Sequence, residues 1–257
     1  MLRADPFELV DAAATGGFDR CGVRIVAPDS DQRVFDLIGD PTVRSRFVEH
    51  LGDRGVRLLD VEAVWLRKDT DVTALVPALE AAADLGAKYV LTVGYDFDAA
   101  RLTDTLGRLA DAADQFDLTL PLEFITYSAV PSLADAVNLV ARVGRHNVNI
   151  LIDSLQFFRA GAEFDVLSTI LPSVLPYVQI SDGPAVGPTT VDGLRFEARS
   201  DRMLPGTGDL DLRRLLGALP PNMPLSIEVP NVELATLPFR EAAVRLRAAT
   251  NALLDVH

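Results

Sequence analysis

Short β-rich apolar runs recur along this chain at nearly constant intervals, and that rhythm limits the possible fold more than any other feature. The runs cover residues 21–26, 57–65, 88–93, 118–125, 148–152, 177–180 and 224–229. Helical apolar periodicity fills most of the intervals between them, over 71–85, 99–115, 133–143 and 209–216, and follows the last run over 234–254. The centres of the first six runs (Val23, Leu59, Val90, Leu122, Leu151 and Val178) lie 36, 31, 32, 29 and 27 residues apart. Each interval holds one strand, one helix and two loops. Such alternation implies an α/β chain with a parallel sheet and helices outside it.

Two parallel layouts compete. A doubly wound sheet usually places a glycine-rich turn after its first strand. Here the first run leads into Ala27-Pro28-Asp29-Ser30, which cannot cradle a pyrophosphate in that way. The alternative is a TIM-type (β/α)8 barrel, typically about 250 residues long, with its site at the C-terminal strand ends. The 257 residues and the number of units favour the barrel. Seven strands are visible rather than eight, and a helical stretch over 6–14 precedes the first of them. The missing strand is therefore the first: either residues 1–5 form a stub, or the natural chain starts further upstream. No linker or low-complexity stretch divides the sequence, so residues 1–257 read as a single domain.

Composition narrows the function. Apolar residues make up 49% of the chain, enough to build a core and exclude a disordered protein. The formal charge of −13 repels phosphate backbones and anionic membranes. No apolar run reaches the roughly 18 residues of a membrane span. The opening residues lack a signal region, so the expected location is the cytoplasm. One cysteine, Cys21, excludes an internal disulfide framework, and three histidines exclude a histidine-rich metal cluster.

Polar residues stand where the buried runs end. Leu120-Pro-Leu-Glu123, Asn149-Ile-Leu-Ile-Asp153 and Leu225-Ser-Ile-Glu228 each end in a carboxylate, and Val178-Gln179-Ile-Ser-Asp182 supplies an amide and another carboxylate. In a barrel these ends converge on one rim. Unpaired carboxylates gathered there would raise one another's pKa, and a divalent cation would remove that cost. Glu123, Asp153, Gln179 and Glu228 offer an all-oxygen donor set that suits Mg²⁺ or Mn²⁺ better than Zn²⁺. The plainer reading of any one acidic strand end is a cap for the next helix or an arginine pair. The metal reading rests on four such residues at four separate ends.

These segments resemble the xylose isomerase-like TIM-barrel superfamily, in particular its sugar phosphate isomerase/epimerase group. That group includes ketose 3-epimerases, hydroxypyruvate isomerases, and inosose and dehydroshikimate dehydratases. The resemblance runs from Glu8-Leu-Val-Asp-Ala-Ala-Ala and Gly17-Phe-Asp-Arg-Cys-Gly-Val-Arg-Ile through Leu122-Glu-Phe and Leu151-Ile-Asp-Ser-Leu-Gln-Phe-Phe-Arg-Ala-Gly161. It continues through Tyr177-Val-Gln-Ile-Ser-Asp182, Pro205-Gly-Thr-Gly-Asp-Leu210 and Leu225-Ser-Ile-Glu-Val229. It implies that the family's metal quartet falls on Glu123, Asp153, Gln179 and Glu228, on strands five to eight, and that Glu123 and Glu228 are the catalytic pair. The first visible strand would then be strand two, in agreement with the missing first strand. One departure stands out. The family commonly has Asp-x-x-His after strand six, whereas this chain has Asp153-Ser-Leu-Gln156. Glutamine can bind a hydroxyl or carbonyl but cannot shuttle a proton near pH 7. Gln179 stands where relatives often have histidine, and the dehydratase branch also has glutamine there.

Other rim candidates follow from position. Arg202, on the loop before the last strand, matches an arginine that meets the substrate carboxylate in dehydroshikimate dehydratase-like relatives; the plainer reading pairs it with Asp201 or Asp209. Asp60 and Glu62 share strand parity, and Glu62 is a candidate for substrate hydroxyls or for an ion pair with Arg24 or Arg57. Trp65 could wall the pocket or pack in the core. Asp182 suits support of a ligand, and Arg159 suits anchoring of the helix after Asp153. Gly206-Thr-Gly208 reads as a turn whose Asp209 caps the next helix rather than as a phosphate loop. His50, His146 and His257 lie away from the strand ends, and Cys21 reads as buried and inert.

The expected protein is a divalent-metal-dependent isomerase or epimerase acting on a small sugar, sugar phosphate or polyol-derived ketone through an enediolate. A metal-dependent dehydratase and a non-catalytic sugar- or polyol-binding barrel are the alternatives. The expected partner is a small molecule, with a homodimer plausible for the group and no nucleic acid or membrane. The histidine-rich zinc cluster of the endonuclease IV branch, and the histidine base and second metal of xylose isomerase proper, have no counterpart here.

Overall fold

Seven parallel strands hydrogen-bond in chain order, each followed by helical structure on the outside, in a nearly closed TIM barrel. A computed structural model describes residues 4–27 and 34–255. The strands are β1 (Arg20–Arg24), β2 (Arg57–Leu66), β3 (Tyr89–Gly94), β4 (Leu120–Glu123), β5 (Val148–Asp153), β6 (Val178–Ile180) and β7 (Leu225–Ile227). Each lies within or within a residue of an expected run. The helices are α1 (Pro6–Thr15), α2 (Pro41–Arg54), α3 (Val72–Asp84), α4 (Ala99–Asp114), α5 (Leu133–Val143), α6 (Ser154–Arg159), α7 (Phe164–Leu167), α8 (Val191–Ser200), α9 (Leu212–Ala218) and α10 (Phe239–Leu254).

Side-chain caps set most of the helix starts. Asp5, Asp40, Asp71, Asp98, Ser132 and Thr190 each accept a backbone N–H from the first turn that follows, satisfying donors that have no partner inside the helix. Two expectations are corrected. Asp211, not Asp209, caps the helix after the Gly-Thr-Gly turn, so α9 begins at Leu212 and Asp209 instead accepts the Ala185 N–H. The stretch expected as one helix over 234–254 is a short 3-10 turn, Leu234–Thr236, then α10, because Pro238 breaks it.

Two apolar layers result. The larger lies between sheet and helices and contains Phe47, Leu106, Leu109, Leu122, Ile150 and Val178. The smaller fills the barrel with Leu59, Ala63, Leu91, Val93, Ile125, Leu151 and Tyr177, against which Trp65 and Tyr127 pack. Among the described residues no strand joins β7 to β1. Asp5 caps α1, so it is not part of a strand; residues 1–3 of the proposed stub lie outside the described residues, as do Pro28–Ser30 of the turn weighed above and His257. Between the two free edges is a cavity of about 870 Å³, lined in part by Cys21, Val23, Leu225 and Ile227. No described helix is long and apolar enough to cross a membrane.

Candidate functional site

Pairing register brings the expected residues to one rim. Asp153 lies opposite Gln179, and Glu123 opposite Leu151. Glu123, Asp153 and Gln179 have the parity of Ile125, Leu151 and Tyr177, which pack inside the barrel. All three are buried, and Glu228, just past β7, is partly exposed.

Burial removes water from these carboxyls, and their charges oppose one another. Glu123 is pushed well above the ordinary carboxylate range by burial first, then by Asp153 and Glu228. Burial raises Glu228 to about 7; the charges of Glu62 and Asp153 add to the rise and Arg202 opposes it. Glu62 also rises to about 7 through burial and then Asp60, with Arg24 opposing. Asp60 rises to about 6 through burial, against the stabilising hydroxyl of Tyr177, which donates to it. Arg24 faces Glu62 across β1 and β2, whereas Arg57, the other partner considered for Glu62, pairs with Asp19 at 3.2 Å.

Asp153 realises both plain readings of an acidic strand end. Its Oδ1 accepts the Gln156 N–H at 2.9 Å and caps α6, while its Oδ2 accepts from Arg202 Nη1 at 2.5 Å. Arg202 is therefore neither a surface arginine nor paired with Asp201 or Asp209. It is buried, with Nε on the Ala198 carbonyl at 2.8 Å and Nη1 also 3.5 Å from Glu228 Oε2. Sequence reasoning placed it near substrate but missed this pairing with a candidate metal ligand. Gln156 is buried too, and its Oε1 accepts from Thr126 N at 3.3 Å and from Thr126 Oγ1 at 3.4 Å.

The donor chemistry of the rim suits a hard cation. Gln179 Oε1 is buried and has no hydrogen-bond partner, a costly state for an acceptor, and Gln179 lies opposite Asp153 in the register of β5 and β6. Glu123, Gln179 and Glu228, with the remaining lone pairs of Asp153, are the oxygens that a cation would use. Among the described residues, however, no three His, Cys, Asp or Glu side chains form a group ready to enclose an ion. The guanidinium of Arg202 supplies the positive charge to Asp153 and Glu228.

The neighbouring residues are structural. Asp182 accepts from the backbone N–H groups of Gly183, Gly206, Gly208 and Leu210 at 2.8–3.1 Å, which fixes the Pro205–Leu210 loop beside the rim. Arg159 makes two bonds to Glu197, at 2.7 and 2.6 Å, and ties α6 to α8. Burial pushes the Cys21 thiol up to about 12, as an inert side chain requires. His50 and His146 stand beside Asp11 and Asp114 on the outside.

The family described as xylose isomerase-like TIM barrel matches residues 10–249. An inosose isomerase of Bacillus velezensis is 26% identical over 190 residues, which is 69% of this chain and 66% of that protein. The chain thus spans just under two thirds of that relative's length. Among solved structures, an IOLI protein with a bound zinc atom matches with a TM-score of 0.83 at 20% identity, over 99% of this chain and 94% of that one. A D-psicose 3-epimerase crystallised with D-fructose matches with a TM-score of 0.74 at 14% identity, over 99% and 94% of the two chains. The two structural likenesses concern the fold.

Proposed function

We propose that this chain, which belongs to the xylose isomerase-like TIM barrel family, is an isomerase or epimerase of a small sugar- or polyol-derived α-hydroxy ketone. The observation that carries the reading is the buried, orphaned Oε1 of Gln179, opposite Asp153 in register, on the rim where Glu123 and Glu228 feel one another's charge. A divalent cation held by these four residues, Mg²⁺ or Mn²⁺ by the hardness of the donors, would polarise the carbonyl and hydroxyl oxygens of the ketone.

The chain's own residues do the rest. Glu228, partly exposed just past β7, removes the proton from the hydroxyl-bearing carbon next to the carbonyl. Glu123 returns a proton to the enediolate. Gln156, held by Thr126, orients a substrate oxygen. Arg202 holds Asp153 in place through its Nη1. Glu62 stands near enough to Glu228 to raise its affinity and can bind a substrate hydroxyl.

A dehydratase reading draws on the amide at position 179. It loses the help expected from Arg202, since that guanidinium already binds Asp153. The inosose isomerase relative and the epimerase neighbour support the isomerase reading.

The test is proton exchange. Protein stripped with chelator and reloaded with Mg²⁺, Mn²⁺ or Zn²⁺ is incubated in D₂O with a panel of ketoses and inososes, and deuterium uptake next to the carbonyl is followed by NMR. One or more members should exchange and isomerise, and Glu228→Gln should abolish both while the protein remains folded. Absence of exchange across the panel with every metal would leave a binding barrel without this chemistry. Full activity in Glu228→Gln would remove its assignment as base.

A further inference from the structure

We propose that the substrate carries an anionic group, a phosphate or carboxylate, received at the outer mouth by Arg195 and Arg199 of α8. This rests on the preceding reading only for the position of the reacting end of the substrate.

The arginines belong to a collar of alternating cations and aromatic rings. The guanidinium of Arg199 lies 5.9 Å from the ring centroid of Trp65, and that of Arg195 lies 5.5 Å from Tyr127. Arg195 Nη2 also donates to the Tyr95 hydroxyl at 2.9 Å. Tyr95 packs edge-on against Trp65 at 5.2 Å, and Arg67 lies over both rings at 5.2 and 5.7 Å. The collar is continuous with the reaction site. Trp65 and Tyr127 rest on the apolar filling of the barrel, and Tyr127 lies close enough to Glu123 and Arg202 to feel both charges.

Charge gives the collar a direction. The chain carries −13 overall, and its inner rim is acidic. Its general field repels an anionic ligand, so such a ligand needs local cations at the entrance. Stacking pre-orients each guanidinium while leaving edge N–H groups to bind a planar or tetrahedral anion bidentately. The acid nearest Arg195 is Asp192, on the same helix, 3.7 Å away and almost fully exposed. The contacts of Arg199 are the Trp65 ring and the Tyr127 hydroxyl. Arg199 meets a ring and a phenol, and Arg195 has only the long contact to exposed Asp192 besides its aromatic partners, so both keep their charge available. Neutral sugars gain nothing from that charge.

Trp65 is the chain's single tryptophan, so its fluorescence reports on the collar directly. The experiment titrates metal-free Glu228→Gln protein with matched pairs: ribulose and ribulose 5-phosphate, fructose and fructose 6-phosphate, L-sorbose and 5-keto-D-gluconate. At least one anionic member should bind ten-fold or more tighter than its neutral partner. Arg195→Ala/Arg199→Ala should erase that preference while leaving neutral binding within two-fold. Phosphate-only selectivity identifies a phosphorylated substrate, and selectivity for the ketogluconate alone identifies a carboxylate. Equal binding throughout the pairs overturns the proposal, as does a preference that survives the double substitution. A double variant that only melts earlier, with its preference intact, would show that the arginines merely fasten α8. The readout needs neither metal nor turnover, so a failure of the isomerase reading is seen separately, in the exchange assay.

Discussion

Arg202 shows how much a single residue governs at the rim. Its Nη1 is bonded to Asp153, which is fully buried, and it stands within ion-pair distance of Glu228. Removing one member of a buried pair strands the other charge at a cost of about 3–5 kcal/mol. Arg202→Ala should therefore lower stability by about that much in chelator-treated protein. Added divalent cation should raise the melting temperature of this variant more than that of the parent, because the ion then supplies the missing charge; equal shifts in calorimetry would argue against a cation beside Asp153. Glu62 gives a pH signature. Burial and Asp60 raise its folded-state affinity from 4.5 to about 7, so the native state holds more protons than the unfolded state between those values. Its contribution is most favourable below about 4.5 and falls as pH climbs through 7. Glu62→Gln should accordingly raise the melting temperature by a few degrees at pH 8 and leave it nearly unchanged at pH 5. The rim positions of Glu123, Asp153 and Glu228 were legible in sequence because each ends a buried apolar run, and that of Gln179 because it is the one polar residue inside a short one. The partner of Asp153 was not, since no local pattern reports which loop arginine folds inward across 49 residues of sequence separation.

Elements translate these residues into a rigid mouth. The Pro205–Leu210 loop has little apolar content of its own, and one buried carboxylate, Asp182, holds it through the backbone N–H groups of Gly206, Gly208 and Leu210. Gly206 adopts a left-handed φ of 79°, and a Cβ on Gly208 would sit 2.5 Å from both Asp182 Oδ1 and the Gly183 carbonyl. Gly208→Ala should thus loosen the loop, with accelerated proteolysis at residues 205–210 and reduced turnover, while the far side of the barrel keeps its protection. Unchanged cleavage there would mean that Asp182 does not clamp the loop. The strands were readable because parallel strands buried on both faces appear as continuous apolar runs. Helices α3, α4 and α5 were readable from their apolar stripe, but α8 is polar overall, with only Glu197 and Ala198 buried, so too few apolar residues mark it. That is why Arg195 and Arg199 emerge from the structure and not from the sequence. Asp209 was taken for a cap because it stands nearest the turn; Asp211 wins because the helix begins only at Leu212.

The whole molecule is a barrel with a seam. Every strand from β2 to β6 pairs on both edges, whereas among the described residues β1 and β7 each pair on one. The sequence registered the seam as a missing first strand, because a helical stretch precedes the first apolar run. In a parallel ladder, alternate N–H groups of an edge strand point away from its only neighbour. The unpaired groups of β1 and β7 face the cavity of about 870 Å³ and carry none of the ladder protection of the interior strands. Hydrogen exchange should therefore be biphasic along Arg20–Arg24 and Leu225–Ile227, with alternate amides lost early, while β3 and β4 exchange only on larger opening. The site makes this worth measuring. Arg24, Glu62 and Glu228 line the rim end of the same cavity, so whatever occupies the seam changes the hydration of two carboxyls whose affinities are set first by burial. Uniform slow exchange across both edges would mean that a further segment pairs there in solution. The raised affinities of Glu62 and Glu228 would then belong to a closed barrel.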